Sequence, residues 1–198
     1  MKKSLEEIQE ELEKILRKKR YQHTLGVRYT AQAMAMRYGE DITAAGYAGM
    51  LHDCAKYLSG EEILALCRKN QIRYSETERE NPSLLHAKLG AHFARERYGV
   101  EEEGILSAIR WHTTGKPGMS ELEKIIFIAD YIEPGRKMLP HMEQIRREAF
   151  HDMDEAMYLI LYNTLSYLRE EGAGEKTLDS YTIDAYDFYK ELRERRPD

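Results

Sequence analysis

Ala44-Ala45-Gly46-Tyr47-Ala48-Gly49-Met50-Leu51-His52-Asp53 is an apolar run that ends on an acid, and Ile125-Ile126-Phe127-Ile128-Ala129-Asp130-Tyr131-Ile132 does much the same later in the chain. Neither stretch alternates polar with apolar, and both are long for a strand. They read as helices apolar on every side, and a helix of that kind is buried. An ionised carboxylate taken into such surroundings is costly unless something cationic meets it. Asp53 follows directly on His52, and further histidines are scattered along the sequence. A metal ion satisfies both acids at once.

Outward from these two runs the pattern stays helical. Ser4 with Glu7 forms a capping box ahead of Leu5, Ile8, Leu12, Ile15 and Leu16 at helical spacing. A second helix is expected from about Arg20 to Tyr38, stopped by Gly39. Asp41 caps a third that carries His52 and Asp53, and Ser59 with Glu62 caps a fourth ended by Asn70. Asn81 or Ser83, with Pro82 in the first turn, opens a fifth that carries His86 and ends at Gly99. A sixth covers about 101–112, and Ser120 with Glu123 opens the helix that holds Asp130, broken at Pro134-Gly135. One or two longer helices follow up to Gly172, then a last one from about Thr182 to Arg195. No useful β alternation, internal repeat or linker interrupts the series. The expectation is one all-α domain over 1–198, with a core at about 18–135 and C-terminal helices at 143–195 packed on it.

The composition sets limits on function. The charged opening Met1-Lys2-Lys3-Ser4-Leu5-Glu6-Glu7 predicts no secretory leader, and no apolar stretch reaches the roughly 20 residues that cross a bilayer. Cys54 and Cys67 fit neither a zinc knuckle nor a redox pair, which suits a reducing cytoplasm. A formal charge of −5 argues against a nucleic-acid polymer as partner but leaves room for a small phosphorylated ligand held by a local cluster of cations.

The histidines are His23, His52, His86, His92, His112, His141 and His151. Neighbours in a helix are about 100° apart, so His52 and Asp53 can reach one ion over one edge. Lys56 lies on the same face, where it suits an anion bound at that ion. His23, His86, His112 and Asp130 each come from a separate expected helix, as a site inside a helical bundle requires. Each also has a plain reading: a lone histidine near an apolar face is more often a hydrogen-bonded core residue, an acid can be a cap, and Lys56 alone is a surface lysine. Imidazole and carboxylate donors without thiolate suit iron, manganese or zinc.

The order His23 … His52-Asp53 … His86 … His112 … Asp130 resembles the HD-domain superfamily of metal-dependent phosphohydrolases, whose helical bundle holds one or two ions. The segments Arg20-Tyr21-Gln22-His23-Thr24-Leu25-Gly26-Val27, Leu51-His52-Asp53-Cys54-Ala55-Lys56, Trp111-His112-Thr113-Thr114-Gly115 and Ala129-Asp130-Tyr131-Ile132-Glu133-Pro134-Gly135-Arg136 look like one bacterial branch. That branch is the symmetrical bis(5′-nucleosyl)-tetraphosphatases, which cut diadenosine tetraphosphate into two ADP. Tyr181-Thr182-Ile183-Asp184-Ala185-Tyr186 extends the likeness to nearly the whole chain.

The resemblance implies that His23, His52, Asp53 and Asp130 are the core metal ligands. It implies iron first, with manganese or another divalent transition metal as alternatives. His86 and His112 either hold a second ion or contact the phosphates. Asp53, Lys56, His86 and His112 carry the catalysis. Substrate contacts are expected from Arg20, His23, Lys56, His86, His112, Thr113, Asp130, Arg136, Thr182 and Tyr186, with Thr114 and Lys116 completing a phosphate cradle. Arg136 reads equally as a partner of Glu133, Arg20 as part of the basic run from Arg17, and Thr182 and Tyr186 as a cap and a packing residue. Rival activities are another HD-type nucleotidase or phosphodiesterase, or nucleotide binding without catalysis. Leu159-Ile160-Leu161-Tyr162 and the fourteen tyrosines leave a homodimer open.

Overall fold

The computed structural model describes residues 2–172 and 178–195. Residues 1, 173–177 and 196–198, included in the expected unit, lie outside them. Among the described residues eleven α-helices and one 3-10 turn follow in order: α1 (Leu5–Ile15), α2 (Lys18–Tyr38), α3 (Ile42–Leu51), α4 (Gly60–Lys69), α5 (Glu76–Glu80), a 3-10 turn (Pro82–Leu85), α6 (His86–Glu96), α7 (Glu103–Trp111), α8 (Glu121–Ile132), α9 (Met142–Glu148), α10 (Met153–Glu170) and α11 (Ser180–Glu194). No strand occurs among the described residues, and no helix there is long and apolar enough to cross a membrane.

The helix starts follow the capping chemistry. Ser4, Ser59 and Ser120 each accept from the amide three residues on, while Glu7, Glu62 and Glu123 reach back to the cap amide. Asp41 accepts from Thr43 N and Ala44 N, and Gly39 ends α2 at φ 74°. Each cap satisfies backbone donors that the first helical turn leaves unpaired, and is worth about 0.5–2 kcal/mol. One box went unread in the sequence: Ser75 with Glu78 opens the short α5, ahead of the helix expected to begin near Asn81 or Ser83. Neither of those residues caps α6 through its side chain; Pro82 starts a 3-10 turn that runs straight into it.

α3 is buried from Ala45 through Leu51, as an all-apolar helix should be. It packs chiefly on α2, and α8 crosses both, so the two runs quoted first lie side by side in the core. Each fully buried side chain of the size of Leu51 or Ile126 contributes about 1.5–3 kcal/mol. α6 and α7 close the opposite side, and α10 lies on α8, α9 and α11. In the run Leu159-Ile160-Leu161-Tyr162, the first three side chains are buried in the chain's own core and only Tyr162 is exposed.

The structure corrects the third helix. α3 stops at Leu51, His52 is its C-cap, and Asp53 stands in the turns that follow. There the bonds run Cys54 N to Leu51 O and Lys56 N to Asp53 O, three residues back rather than four. Nothing in Leu51-His52-Asp53-Cys54 signals a stop, so the tighter winding is invisible to a helical pattern. Its effect is to bring His52, Asp53 and Lys56 to the end of a buried helix rather than along its side.

Candidate metal centre

Asp53 is 2 % exposed, and its two oxygens face two groups of side chains. Oδ2 lies 3.4 Å from His52 Nε2 and 3.8 Å from His23 Nε2. On the same side Asp130 Oδ1, presented from the last turns of α8, is 2.9 Å from His23 Nε2 and 3.8 Å from His52 Nε2. Oδ1 of Asp53 looks the other way, 3.1 Å from His86 Nε2 and 3.8 Å from His112 Nε2. The four rings form a chain edge to face, with neighbouring centroids 4.9–5.4 Å apart. Five elements supply the six residues: α2 gives His23, the turn after α3 gives His52 and Asp53, α6 His86, the end of α7 His112, and α8 Asp130.

The outer nitrogens fix the tautomers. His52 Nδ1 bonds Gly49 O at 2.7 Å, His112 Nδ1 bonds Ile109 O at 2.7 Å, and His86 Nδ1 bonds Ser83 O. A carbonyl can only accept, so each Nδ1 carries the proton and each neutral ring presents a lone pair at Nε2. His23 Nδ1 donates to a carboxylate instead, Glu133 Oε1 at 3.0 Å. Gly135 N donates to the other oxygen of Glu133, and a Cβ on Gly26 would stand 2.5 Å from that same oxygen. Gly26 is therefore the opening in α2 through which a buried glutamate braces the histidine.

Four lone pairs thus converge with no hydrogen among them to share. Nε2 of His23 and of His52 is buried without a hydrogen-bond partner, the 2.9 Å approach to Asp130 included. His86 Nε2 and His112 Nε2 stand 3.0 Å apart. A hydroxyl, Thr113 Oγ1, lies 3.1 Å from His112 Nε2 and 3.3 Å from His86 Nε2, and its single hydrogen serves one of them. Unpaired buried acceptors facing each other are unfavourable unless a cation lies between them. Two donors about 2.1 Å from one ion and at right angles are about 3.0 Å apart, so these separations suit ligands. Two groups bring their donor atoms within 4.8 Å of one another: His23, His52 and Asp130, and His52, Asp53 and His112. Nitrogen and carboxylate donors without thiolate fit a divalent transition metal.

The charges agree. Burial alone would raise the Asp53 carboxyl, but the imidazoles of His52, His112 and His86 gathered about it hold it well below the usual carboxylate range. Burial presses on Asp130 too, and His23 with the Arg136 guanidinium drives it far down. Burial takes His86 down to about 4 despite Asp53, so that ring is neutral at pH 7. Burial likewise lowers Lys56, an effect Asp53 partly offsets.

Around the cluster, a cavity of about 210 Å³ is lined by Arg20, Lys56, Thr113, Phe127, Tyr131, Arg136 and neighbours. Arg20 Nη1 rests on Asp53 Oδ2 at 2.6 Å and Arg136 Nη2 on Asp130 Oδ1 at 2.5 Å. Arg136 thus pairs Asp130, not Glu133. Lys56 Nζ stands 3.1 Å from His86 Nδ1. Thr182 and Tyr186 stand on α11: Thr182 is buried, its amide held by Asp179, while Tyr186 stacks on Tyr158. Thr114 is buried with its hydroxyl on Gly115 O, and Lys116 is tied to Glu123 at 3.0 Å, which takes both out of the expected phosphate cradle. His92, His141 and His151 are apart from the cluster. Glu133 was missed as a brace because its partner is 110 residues away in sequence.

Residues 20–135 match the model of the HD domain. The symmetrical bis(5′-nucleosyl)-tetraphosphatase of Halalkalibacterium halodurans is 45% identical over 75% of this chain and 79% of its own. That of Bacillus subtilis is 40% identical over 77% of this chain and 81% of its own. A crystal structure from Clostridium acetobutylicum, described as a predicted HD superfamily hydrolase involved in NAD metabolism, superposes with a TM-score of 0.92. It is 38% identical, and the match covers 97% of this chain and 100% of that one. Motif order, donor geometry and similarity agree: the chain belongs to the HD-domain family, in the branch of the symmetrical bis(5′-nucleosyl)-tetraphosphatases.

Proposed function

We propose that this protein is a metal-dependent hydrolase that cuts diadenosine tetraphosphate at its centre into two ADP. The observation that carries the reading is the convergence of four imidazole lone pairs on the two oxygens of Asp53, at the floor of a cavity walled by Arg20, Lys56 and Arg136. His23, His52, Asp53 and Asp130 would hold the principal ion, iron in the first place and manganese next, and His86 and His112 with the far oxygen of Asp53 a second. Such an ion, when bound, supplies Lewis acidity and lowers the pKa of a water it holds from about 15.7 toward 7.

The side chains account for the rest. Hydrolysis of a phosphoanhydride needs little covalent help from protein and much offsetting of charge on the transferred phosphoryl and its leaving group. Lys56, Arg20 and Arg136 provide it from three sides of the cavity. The guanidiniums are suited to grip phosphate oxygens in pairs. Thr113 orients oxygen at the mouth of the cluster. Glu133 keeps the His23 lone pair aimed inward, and the carbonyls of Gly49, Ser83 and Ile109 do the same for the other rings. The two buried, unpaired thiols Cys54 and Cys67 support a cytoplasmic place of action.

The deciding experiment incubates the protein with dinucleoside polyphosphates and mononucleotides, identifies the products, and quantifies metal in the same sample. ADP as sole product from diadenosine tetraphosphate, lost with chelator and restored by iron or manganese, is expected. In Asp53→Ala, hydrolysis and bound metal should both vanish with the helical signal intact. ATP with AMP as products, or activity indifferent to chelator, would overturn the reading.

A further inference from the structure

The cavity over the His/Asp cluster encloses about 210 Å³, less than the roughly 300–1,000 Å³ of sites that engulf a small ligand whole. A substrate cut at its centre carries an equal nucleoside diphosphate on each side of the breaking bond. At least one half must lie outside that cavity. The structure offers a continuation. Arg20 and Arg136 line the cavity and also a groove of about 890 Å³, walled by the start of α2 and the segment that follows α8.

The groove is basic in a chain whose net charge is −5. Besides the two shared arginines it presents Arg17, Lys19 and Lys137, all exposed and, among the described residues, without an ion pair through their side chains. The acid lining it is Glu133, but that carboxylate is buried and turned to His23 Nδ1 and Gly135 N. It leaves the wall uncompensated. Pro134 and Leu139 add apolar surface at the same place.

We propose that this groove is the seat of one nucleoside diphosphate half of the substrate. Arg20 and Arg136 flank the polyphosphate where the two spaces join, Lys19 and Lys137 pair with the phosphates beyond, and Pro134 and Leu139 face the nucleoside. The assignment rests on the reading of the substrate as a symmetrical dinucleoside tetraphosphate.

The test is the double variant Lys19→Ala/Lys137→Ala, set against Arg68→Ala/Lys69→Ala, which removes two exposed cations of α4 outside both spaces. In the groove variant the KM for diadenosine tetraphosphate should rise about three- to thirtyfold, as for the loss of two exposed charge pairs, with kcat held within about twofold. The α4 variant should hold both constants. An unchanged KM in the groove variant, or an equal rise in the two, overturns the proposal. If the wild-type protein leaves diadenosine tetraphosphate intact, the functional reading fails first. ADP binding by calorimetry then decides the groove: affinity lost in the groove variant alone upholds it, and equal affinity in both variants overturns it.

Discussion

The two sides of Asp53 are built differently. Toward Oδ2 stand His23, His52 and a second carboxylate, Asp130, and an arginine rests on each acid. Toward Oδ1 stand His86 and His112 with no acid of their own, and Thr113 and Lys56 close by. The first side offers one more carboxylate donor and two imidazole nitrogens with no partner at all. The second side shares one carboxylate oxygen and has a hydroxyl to satisfy one nitrogen. Attraction for a cation is therefore stronger on the first side, and the second has the character of a weaker ion site or a contact for phosphate.

The sharpest way to break this comparison is to remove one donor from each side. Asp130→Asn should lower hydrolysis by about 10³-fold, the loss expected when a group that organises the reacting charge is removed, and should strip the tightly held metal. His112→Gln should lower it by about 10–100-fold and leave that metal in place. Metal analysis beside turnover distinguishes them, and equal depletion in both variants would erase the asymmetry.

A smaller effect separates the braces. On the second side every ring is tied to a backbone carbonyl, which no substitution removes, whereas His23 depends on the Glu133 side chain. Glu133→Gln keeps an acceptor but loses the charge, and should weaken metal affinity by about tenfold. Competition with a chelator measures this, and an unchanged affinity would mean that α2 alone aims the ring.

The scaffolds beneath the two sides differ as well. A Cβ on Gly49 would sit 2.9 Å from Arg28 Cα, backbone against backbone, where α3 crosses α2. A Cβ on Gly90 would meet His52 O at 3.4 Å and side chains beyond that, which is ordinary contact. Gly49→Ala should cost about 1–3 kcal/mol by overpacking. Gly90→Ala, inside α6, should be neutral or stabilising by up to about 1 kcal/mol, because alanine is the better helix former. Chemical denaturation of both variants checks the pair, and equal stability would show that α2 and α3 can part without strain.

Much of this was legible in residue order. Capping boxes at Ser4, Ser59 and Ser120 announce themselves by a serine three residues before a glutamate, and each formed. Ser75 with Glu78 has the same signature but lies in the polar stretch Arg73-Tyr74-Ser75-Glu76-Thr77-Glu78, where no apolar rhythm draws attention to a helix. Asp53 and Asp130 stood out because an acid at the end of an apolar run is chemically out of place, and His52 came with its neighbour, whereas His23, His86 and His112 entered the set through the family resemblance. Their distribution around two sides of one carboxylate was not legible, since a local pattern carries no information on which oxygen faces which ring. Glu133 and Lys116 fail for a related reason: their partners, His23 and Glu123, become neighbours only when helices pack or a loop folds back. For Thr182 and Tyr186 the plain reading is visible as well, an amide held by Asp179 and a ring stacked on Tyr158.

The three carbonyl ties, each reaching back one turn from His52, His86 and His112, have a thermodynamic consequence. In small metal domains the ion itself orders the chain, and removal of the ion unfolds it. Here the rings are oriented by the turns that carry them, so folding meets the entropic penalty before any cation arrives. Starvation for metal should silence such a protein while sparing its shape, and resupply should revive the same molecules without new synthesis.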